Sequence, residues 1–205
     1  MNTALAFQPE MPDDDHERRT GQRHISVLRV ARGVWEGRDQ LCVVRNISAD
    51  GLMFECLHPP AVGQALAIEL RSDKQMRGIV RWAKDQGAGV ELEEPINVER
   101  MLKEERGSLL RVRPRSPRFA RCGPLRLIAD GETIPGTTLD ISITGLSCRI
   151  DQPVQKDAPV VVAIDDVAAT NALVRWTKGD VAGISFEKPL PWRPLQLWLD
   201  QMPAV

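Results

Sequence analysis

One motif occurs twice in this chain at a constant separation. Residues 46–51 (NISADG) recur as residues 140–145 (DISITG), an offset of 94 residues (140 − 46), and the offset then holds without a gap. The pair Arg81-Trp82, for example, recurs as Arg175-Trp176. A repeat this long exceeds the roughly 20–50 residues of solenoid and propeller repeats, so each copy must be a complete small domain. The 205 residues therefore predict two related domains in tandem.

Each unit contains short strand-like runs separated by Gly, Pro, Asn and Asp. In the first unit these runs cover residues 27–31, 41–44, 52–56, 65–70, 76–82 and 88–92. Their spacing indicates an antiparallel β-barrel or sandwich rather than βαβ units. A short helix closes each unit. We predict the first helix from Asn97, whose side chain can cap it, to Glu104, and the second between Pro194 and Gln201.

The composition divides the chain into four parts. Residues 1–17 form a polar, acidic tail that we expect to be disordered. The first domain covers residues 18–106, a basic linker covers 107–117, and the second domain covers 118–205. Around that linker, arginines follow one another without an acid: Arg111, Arg113, Arg115, Arg118 and Arg121.

Charge, cysteines and apolar runs restrict the environment and the partners. A net charge of −1 removes the general attraction to nucleic acid, so binding of nucleic acid through the basic linker is a weak alternative. Cys42 and Cys56 flank the first motif, and we predict that both are buried, reduced thiols in a reducing compartment. Because the sequence has neither a signal peptide nor an apolar run of about 18 residues, we expect a cytoplasmic protein without membrane insertion.

Catalysis has little support in the sequence. The only histidines are His16, His24 and His58, and none is visibly paired with a nucleophile or carboxylate. The acidic run at residues 13–17 is interpreted as a solvated tail, because a flexible run lacks the geometry that selects a metal. We therefore expect no enzyme activity, no metal and no cofactor.

A set of polar residues in the first unit indicates a ligand site. Arg19 and Arg23, four apart before the barrel, each offer a planar fork of donors to a phosphate or a guanine edge. Asn46 and Ser48 project from one face of an extended segment. Gly51 follows a polar loop, which predicts a positive φ or a close approach of ligand to backbone. A turn and a solvated arm would explain these features separately, but neither predicts their ordered combination.

The ordered combination resembles the PilZ domain family, receptors for the bacterial second messenger cyclic di-GMP. The resemblance covers residues 18–105 and again 111–201. It implies a six-stranded antiparallel β-barrel in each unit, and two such barrels in tandem, each followed by a short helix. It further implies that the ligand is held by these residues of the first domain: Arg19, Arg23, Asn46, Ser48 and Gly51, with Arg18 assisting.

The second unit keeps one half of this pattern. Asp140, Ser142 and Gly145 are present, but Arg115 and Arg118, which precede the barrel, are three apart instead of four. Neighbouring prolines also stiffen this stretch. The resemblance therefore implies a weaker second site formed by Arg115, Arg118, Asp140, Ser142 and Gly145.

Two functional hypotheses follow. In the first, cyclic di-GMP binds mainly to the first domain and switches its conformation, which alters packing against the second domain or a downstream protein of unknown identity. In the second, the protein is a ligand-independent interaction scaffold that uses the barrels and the helix around residues 195–199. Trp82 and Trp176 are predicted to pack in the barrel core or at its rim rather than to stack on a base.

Overall fold

The computed structural model describes residues 25–71, 74–101 and 115–204. Three predictions therefore lie outside the described residues. These are the disordered tail at 1–17, most of the linker at 107–117, and the placement of Arg18, Arg19 and Arg23.

The described residues form two closed, six-stranded antiparallel barrels, as predicted. The first barrel has the strand order β1-β2-β3-β6-β5-β4, and the second repeats it as β7-β8-β9-β12-β11-β10. Each barrel closes where its first strand pairs with its fourth. The strands are β1 Ile25–Trp35, β2 Arg38–Ile47, β3 Gly51–Glu55, β4 Ala65–Arg71, β5 Lys74–Lys84, β6 Gly87–Leu92, β7 Pro124–Ala129, β8 Glu132–Ser142, β9 Gly145–Ile150, β10 Pro159–Ile164, β11 Ala168–Lys178 and β12 Val181–Phe186.

A short helix follows each barrel. The first, α1, includes residues 98–101, and the Arg100 N–H donates to the Asn97 side-chain oxygen at 2.8 Å, so the predicted cap is confirmed. The second, α2, covers Trp192–Gln201 and starts two residues before the predicted Pro194. Proline is tolerated there because the N–H groups of the first helical turn have no partner within the helix.

Each barrel has its own apolar core. Phe54, Ile68 and Val80 are fully buried in the first barrel, and they alternate with less buried residues along the strands. Cys42 and Cys56 lie in the same core as free thiols, which confirms their predicted burial. Burial raises the pKa of the Cys42 thiol, with a further contribution from the neighbouring Cys56.

Strand β2 is buried on both faces, unlike an ordinary barrel strand. Four consecutive residues, 41–44, are buried. Cys42 and Val44 point into the first barrel, whereas Leu41 and Val43 belong to the apolar cluster of the second barrel. Helix α2 also contacts this strand, because the Gln196 side chain donates to the Leu41 carbonyl at 2.7 Å. The outer face of β2 is therefore the main apolar contact between the two domains.

An ion-pair network crosses the same interface. Arg121, only 8% exposed, donates to the Asp39 carboxylate at 2.6 Å and to the Leu199 carbonyl at 3.1 Å. Arg32 donates to the other Asp39 oxygen at 2.7 Å. Burial alone would raise the pKa of Asp39, but hydrogen bonds from Arg121 and Arg32 outweigh that effect and hold the pKa below its ordinary value. Arg121, predicted as part of a basic stretch without acid partners, is thus a buried interdomain contact.

We predict that Arg121→Ala destabilises the protein by about 2–4 kcal/mol, because it removes a buried guanidinium and leaves the largely buried Asp39 carboxylate with Arg32 as its remaining partner in this network. Chemical denaturation measures the free energy of unfolding. Arg126→Ala is the matched control, since Arg126 forms an exposed ion pair with Asp165 at 2.6 Å, and such pairs contribute at most about 1 kcal/mol. Equal losses in the two variants would contradict the interdomain role of Arg121.

Candidate functional site

A β-bulge determines where the first copy of the motif points. The pairing of β2 with β3 shifts register between Val44 and Asn46. Val44 and Ile47 are both fully buried, so the two residues between them, Arg45 and Asn46, both lie on the outer face. A bulge adds one residue to the strand and so changes its alternation between faces. The bulge therefore presents Asn46 outward, directly beside the residues that contact the second domain.

A second bulge does the same for Trp82. The pairing of β5 with β6 shifts between Val80 and Trp82, which turns both Arg81 and Trp82 outward. The Trp82 side chain is 43% exposed and packs over Gly89, where an added Cβ would collide with the indole nitrogen. Of the two predicted places, the barrel core and its rim, the structure excludes the core, because the bulge turns Trp82 outward. Trp82 packs on the outer wall instead.

The two outward positions are the ends of one row across four strands. Asn46 pairs with Met53, Met53 with Gly89, and Gly89 with Trp82. Three strand spacings make this row about 14 Å long. A groove of about 430 Å³ lies along it, with Ser48 and Gly51 also in its lining. This volume falls within the range of roughly 300–1,000 Å³ that is typical of small-molecule sites.

The structure brings Asn46, Ser48 and Gly51 together at one end of this groove. Both the N–H and the hydroxyl of Ser48 donate to the Gly51 carbonyl, at 2.8 and 3.1 Å, so Ser48 closes the turn between β2 and β3. Ser26 donates to the Asn46 side-chain oxygen at 3.2 Å. This contact holds the start of β1 beside the motif, and the predicted arginine arm, residues 18–23, precedes this start in the sequence.

Gly51 is required for a reason that the sequence did not indicate. It is not among the residues with positive φ, so the first of the two predicted reasons is wrong, while the second, a close approach of ligand to backbone, stays a prediction. An added Cβ would instead lie 2.7 Å from the Val90 carbonyl oxygen on β6. Gly145 faces the Ile184 carbonyl in the same way in the second barrel. The glycine therefore permits the close approach of a neighbouring strand.

The charges of the groove do not favour an anion by themselves. Among its described lining residues, Asp50 and Glu91 are acidic and Arg81 is basic. Arg81 is already paired with Glu91, at 2.5 Å. Any anion in this groove therefore needs cations from elsewhere in the chain.

The second copy of the motif has a different set of contacts. Arg118 forms an ion pair with Asp140, and Ser147 donates to the other Asp140 oxygen at 2.6 Å. The Ser142 hydroxyl donates to the Gly145 carbonyl at 3.0 Å and closes the turn as Ser48 does. The structure thus brings together Arg118, Asp140, Ser142 and Gly145, whereas Arg115 is exposed and is not among the motif's described contacts.

A larger cavity of about 780 Å³ lies between the barrels, away from both motifs. Asp39, Arg32 and Arg121 line it, but they are already paired in the network described above, and Arg32 also pairs with Glu69 at 3.4 Å. We place the candidate site in the smaller groove because its residues keep outward-facing polar and aromatic groups.

We predict that Gly51→Ala destabilises the first barrel by about 1–3 kcal/mol, because the added methyl group meets backbone that cannot move without disturbing strand pairing. Thermal and chemical unfolding measure the loss. Gly87→Ala on the same sheet is the control, since its nearest neighbours would lie at ordinary contact distances of 3.4 Å or more. A Gly51 variant as stable as the control would refute the steric requirement.

Within residues 25–71, 74–101 and 115–204, no group of three or more His, Cys, Asp or Glu side chains could hold a metal ion. In the same part of the chain, no helix combines the length and the apolar character needed to cross a bilayer.

The fold is a tandem of small closed β-barrels, and each barrel carries one copy of the repeated motif, at residues 46–51 and 140–145. The PilZ domain model matches residues 17–105 and again residues 112–195. The chain therefore belongs to the PilZ family, and it has two PilZ domains. Proteins of this family are cyclic di-GMP receptors or effectors rather than enzymes.

Several solved structures are similar to this chain at low identity. The PlzA protein of Borreliella burgdorferi in complex with c-di-GMP is 11% identical, with 88% of this chain and 93% of that chain covered and a TM-score of 0.40. YcgR of Escherichia coli in complex with c-di-GMP is 14% identical, with 82% and 80% covered and a TM-score of 0.32. The search of curated proteins found no match.

Proposed function

We propose that this protein binds cyclic di-GMP through the groove of its first domain and acts as a ligand-dependent switch. The observation that carries the proposal is the row from Asn46 to Trp82 on one outer wall of the barrel, with a polar residue at one end and an aromatic residue at the other. Ser26, three positions after Arg23, donates to Asn46 at the polar end of this row. Membership of the PilZ family supports the same ligand.

Chain connectivity supports the role of the arm. Arg23 precedes Ser26 by three positions, and Ser26 donates to Asn46. Three residues of extended chain span at most about 11 Å, so the Arg23 backbone is tethered close to the motif. Arg19 and Arg18 follow on the same tether. In the proposed site, these arginines reach the ligand from the Asn46 end of the groove.

The charges and the bases of cyclic di-GMP explain why both the arginines and Trp82 are needed in the proposed site. Cyclic di-GMP carries two negative phosphates, and the described groove lining has more acids than arginines. The arm supplies the missing cations, and an arginine can also donate both prongs to guanine O6 and N7, a contact worth about 1–3 kcal/mol. The exposed face of Trp82 offers a surface on which a base can stack, worth about 1–3 kcal/mol.

We predict that Arg19→Ala and Arg23→Ala each weaken cyclic di-GMP binding roughly ten- to hundredfold while the fold is retained, because each removes one charged bidentate contact. Isothermal titration measures the affinity, and circular dichroism checks the fold. Arg149→Ala is the matched control, because Arg149 forms an exposed ion pair with Asp180 in the other barrel. Undiminished affinity in both variants would exclude the proposed contacts of Arg19 and Arg23 with the ligand.

The equivalent tryptophans test which groove is used. Trp82 and Trp176 occupy the same position in the two barrels and are 43% and 46% exposed. For a site in the first domain, Trp82→Phe weakens binding and removes any ligand-induced change in fluorescence, whereas Trp176→Phe leaves both unchanged. The reverse result would move the site to the second domain.

Strand β2 offers a physical route from the ligand to the interface. Leu41 and Val43 on its outer face contact the second domain, and Arg45 and Asn46 follow on the same face. The Arg45 guanidinium lies 5.9 Å from the centre of the Trp192 ring on α2. Arg45 also pairs with Glu55 at 2.7 Å, while its Nε is buried without a described hydrogen-bond partner. In this proposal, the ligand orders the arginine arm next to Asn46. Asn46 directly follows Arg45, whose guanidinium contacts Trp192 of the second domain, so the ordering can alter that contact.

We predict that Arg45→Met retains cyclic di-GMP affinity within about threefold but loses the ligand-induced change in hydrogen exchange of α2, because the variant keeps the apolar stem without the charge. Hydrogen exchange with mass spectrometry measures α2 in the wild type and the variant. Arg149→Met serves as the control. If α2 responds equally in wild type and Arg45→Met, β2 does not transmit the signal through this residue.

A ligand-independent scaffold remains the second candidate. The burial of β2 against the second domain favours it, because the two barrels form a joined surface without any ligand. Absence of cyclic di-GMP binding at micromolar ligand, with a partner recovered by pull-down without ligand, would support the scaffold over the receptor. The predicted absence of a nucleic-acid partner stays a prediction. Strongly salt-dependent binding to generic DNA or RNA would contradict it.

A further inference from the structure

We propose that the second motif is a docking site for the chain's own segment 115–121. The motif then holds this segment in place, and the second domain does not act as a second receptor. The ligand of this motif is then an arginine-bearing stretch of the same chain. The proposal does not depend on binding of cyclic di-GMP by the first groove.

At the offset of 94, the docked segment corresponds in sequence to residues 21–27 of the first unit. The isolated pairing of Phe119 with Ile141 repeats the pairing of Ile25 with Ile47, since 119 − 25 and 141 − 47 both equal 94. At this offset Pro117 takes the place of Arg23. Proline has no side-chain donor, and Pro117 is buried. The second unit therefore lacks the arginine closest to the motif in the first unit.

Asp140 already has a partner for each of its carboxylate oxygens. Arg118 contacts one oxygen, and the Ser147 hydroxyl donates to the other at 2.6 Å. The Thr144 hydroxyl also lies 3.5 Å from the Ser116 hydroxyl. The acid that would face a ligand in this motif is thus neutralised by the segment itself.

The backbone and the core hold this segment more firmly than the ion pair does. Arg118 and Asp140 are both partly exposed, and such pairs contribute at most about 1 kcal/mol. Phe119 exchanges two backbone hydrogen bonds with Ile141, at 2.8 and 2.9 Å. Its side chain is only 1% exposed, and burial of such a side chain contributes about 1.5–3 kcal/mol. Loss of the ion pair alone would therefore leave Phe119 paired with Ile141 and buried in the core.

The other end of the segment is fixed to both α2 and the first domain. Arg121 donates to the Leu199 carbonyl and to the Asp39 carboxylate, and it is buried. Closure of this segment over a ligand would require these buried contacts to break. The second motif therefore positions Arg121, three residues after Arg118, as the interdomain contact.

Hydrogen exchange on the full-length chain tests the docking directly. The amides of Phe119 and Ile141 should exchange on the order of a hundredfold or more slowly than in an unstructured peptide, without ligand. In Arg23→Ala, whose first site is impaired, saturating cyclic di-GMP should leave both rates unchanged. Arg118→Ala should fold and accelerate both amides less than about tenfold, because it removes only an exposed ion pair.

Stoichiometry separates this proposal from the ligand site of the first domain. One bound cyclic di-GMP per chain, insensitive to Asp140→Asn, supports both proposals. No binding at all, with Phe119 and Ile141 still protected, would refute the first-domain receptor and support the docking. Fast exchange of the Phe119 and Ile141 amides would overturn the docking. So would a second bound cyclic di-GMP that alters the exchange of these amides and that Asp140→Asn removes.

Discussion

The burial of strand β2 on both faces is the constraint on which the rest of the structure depends. Its inward residues complete the first core, and Leu41 and Val43 complete the apolar cluster of the second barrel. The strand therefore cannot shift within one domain without disturbing the other. Because the repeated motif at residues 46–51 begins at the end of this strand, the candidate site and the domain interface share one continuous backbone segment.

The two barrels present the same motif in different surroundings. In the first, the motif opens onto a groove whose described lining contains two acids and one arginine. In the second, the equivalent motif contacts the chain's own pre-barrel segment, which continues into the buried Arg121. A duplicated fold has thus kept its turn-closing serines and its close-packed glycines, which serve the barrel itself. The outward polar positions, which do not affect the barrel, have diverged.

The strands were predictable because their signal is local. Gly, Pro, Asn and Asp mark the turns, and alternating apolar residues mark the faces, so all six predicted runs of the first unit fall within or overlap observed strands. The bulges were not predictable by the same means. At Arg45 and Arg81 the pairing slips by one residue, which turns Asn46 and Trp82 outward although simple alternation would direct Trp82 inward. The unbroken apolar run at residues 41–44 was a usable signal for burial on both faces, and it was missed.

The sequence by itself determined two tandem barrels, the PilZ family and the candidate residues Asn46, Ser48 and Gly51. The repeat, the turn residues and the motif are all visible in short stretches of consecutive residues. Only the tertiary structure decided that Trp82 shares a groove with Asn46 and that Arg121 pairs with Asp39. Those contacts join residues distant in sequence, through strand register and domain packing. Register depends on bulges, and packing depends on which outer faces meet, and neither has a local signature that composition or spacing reveals.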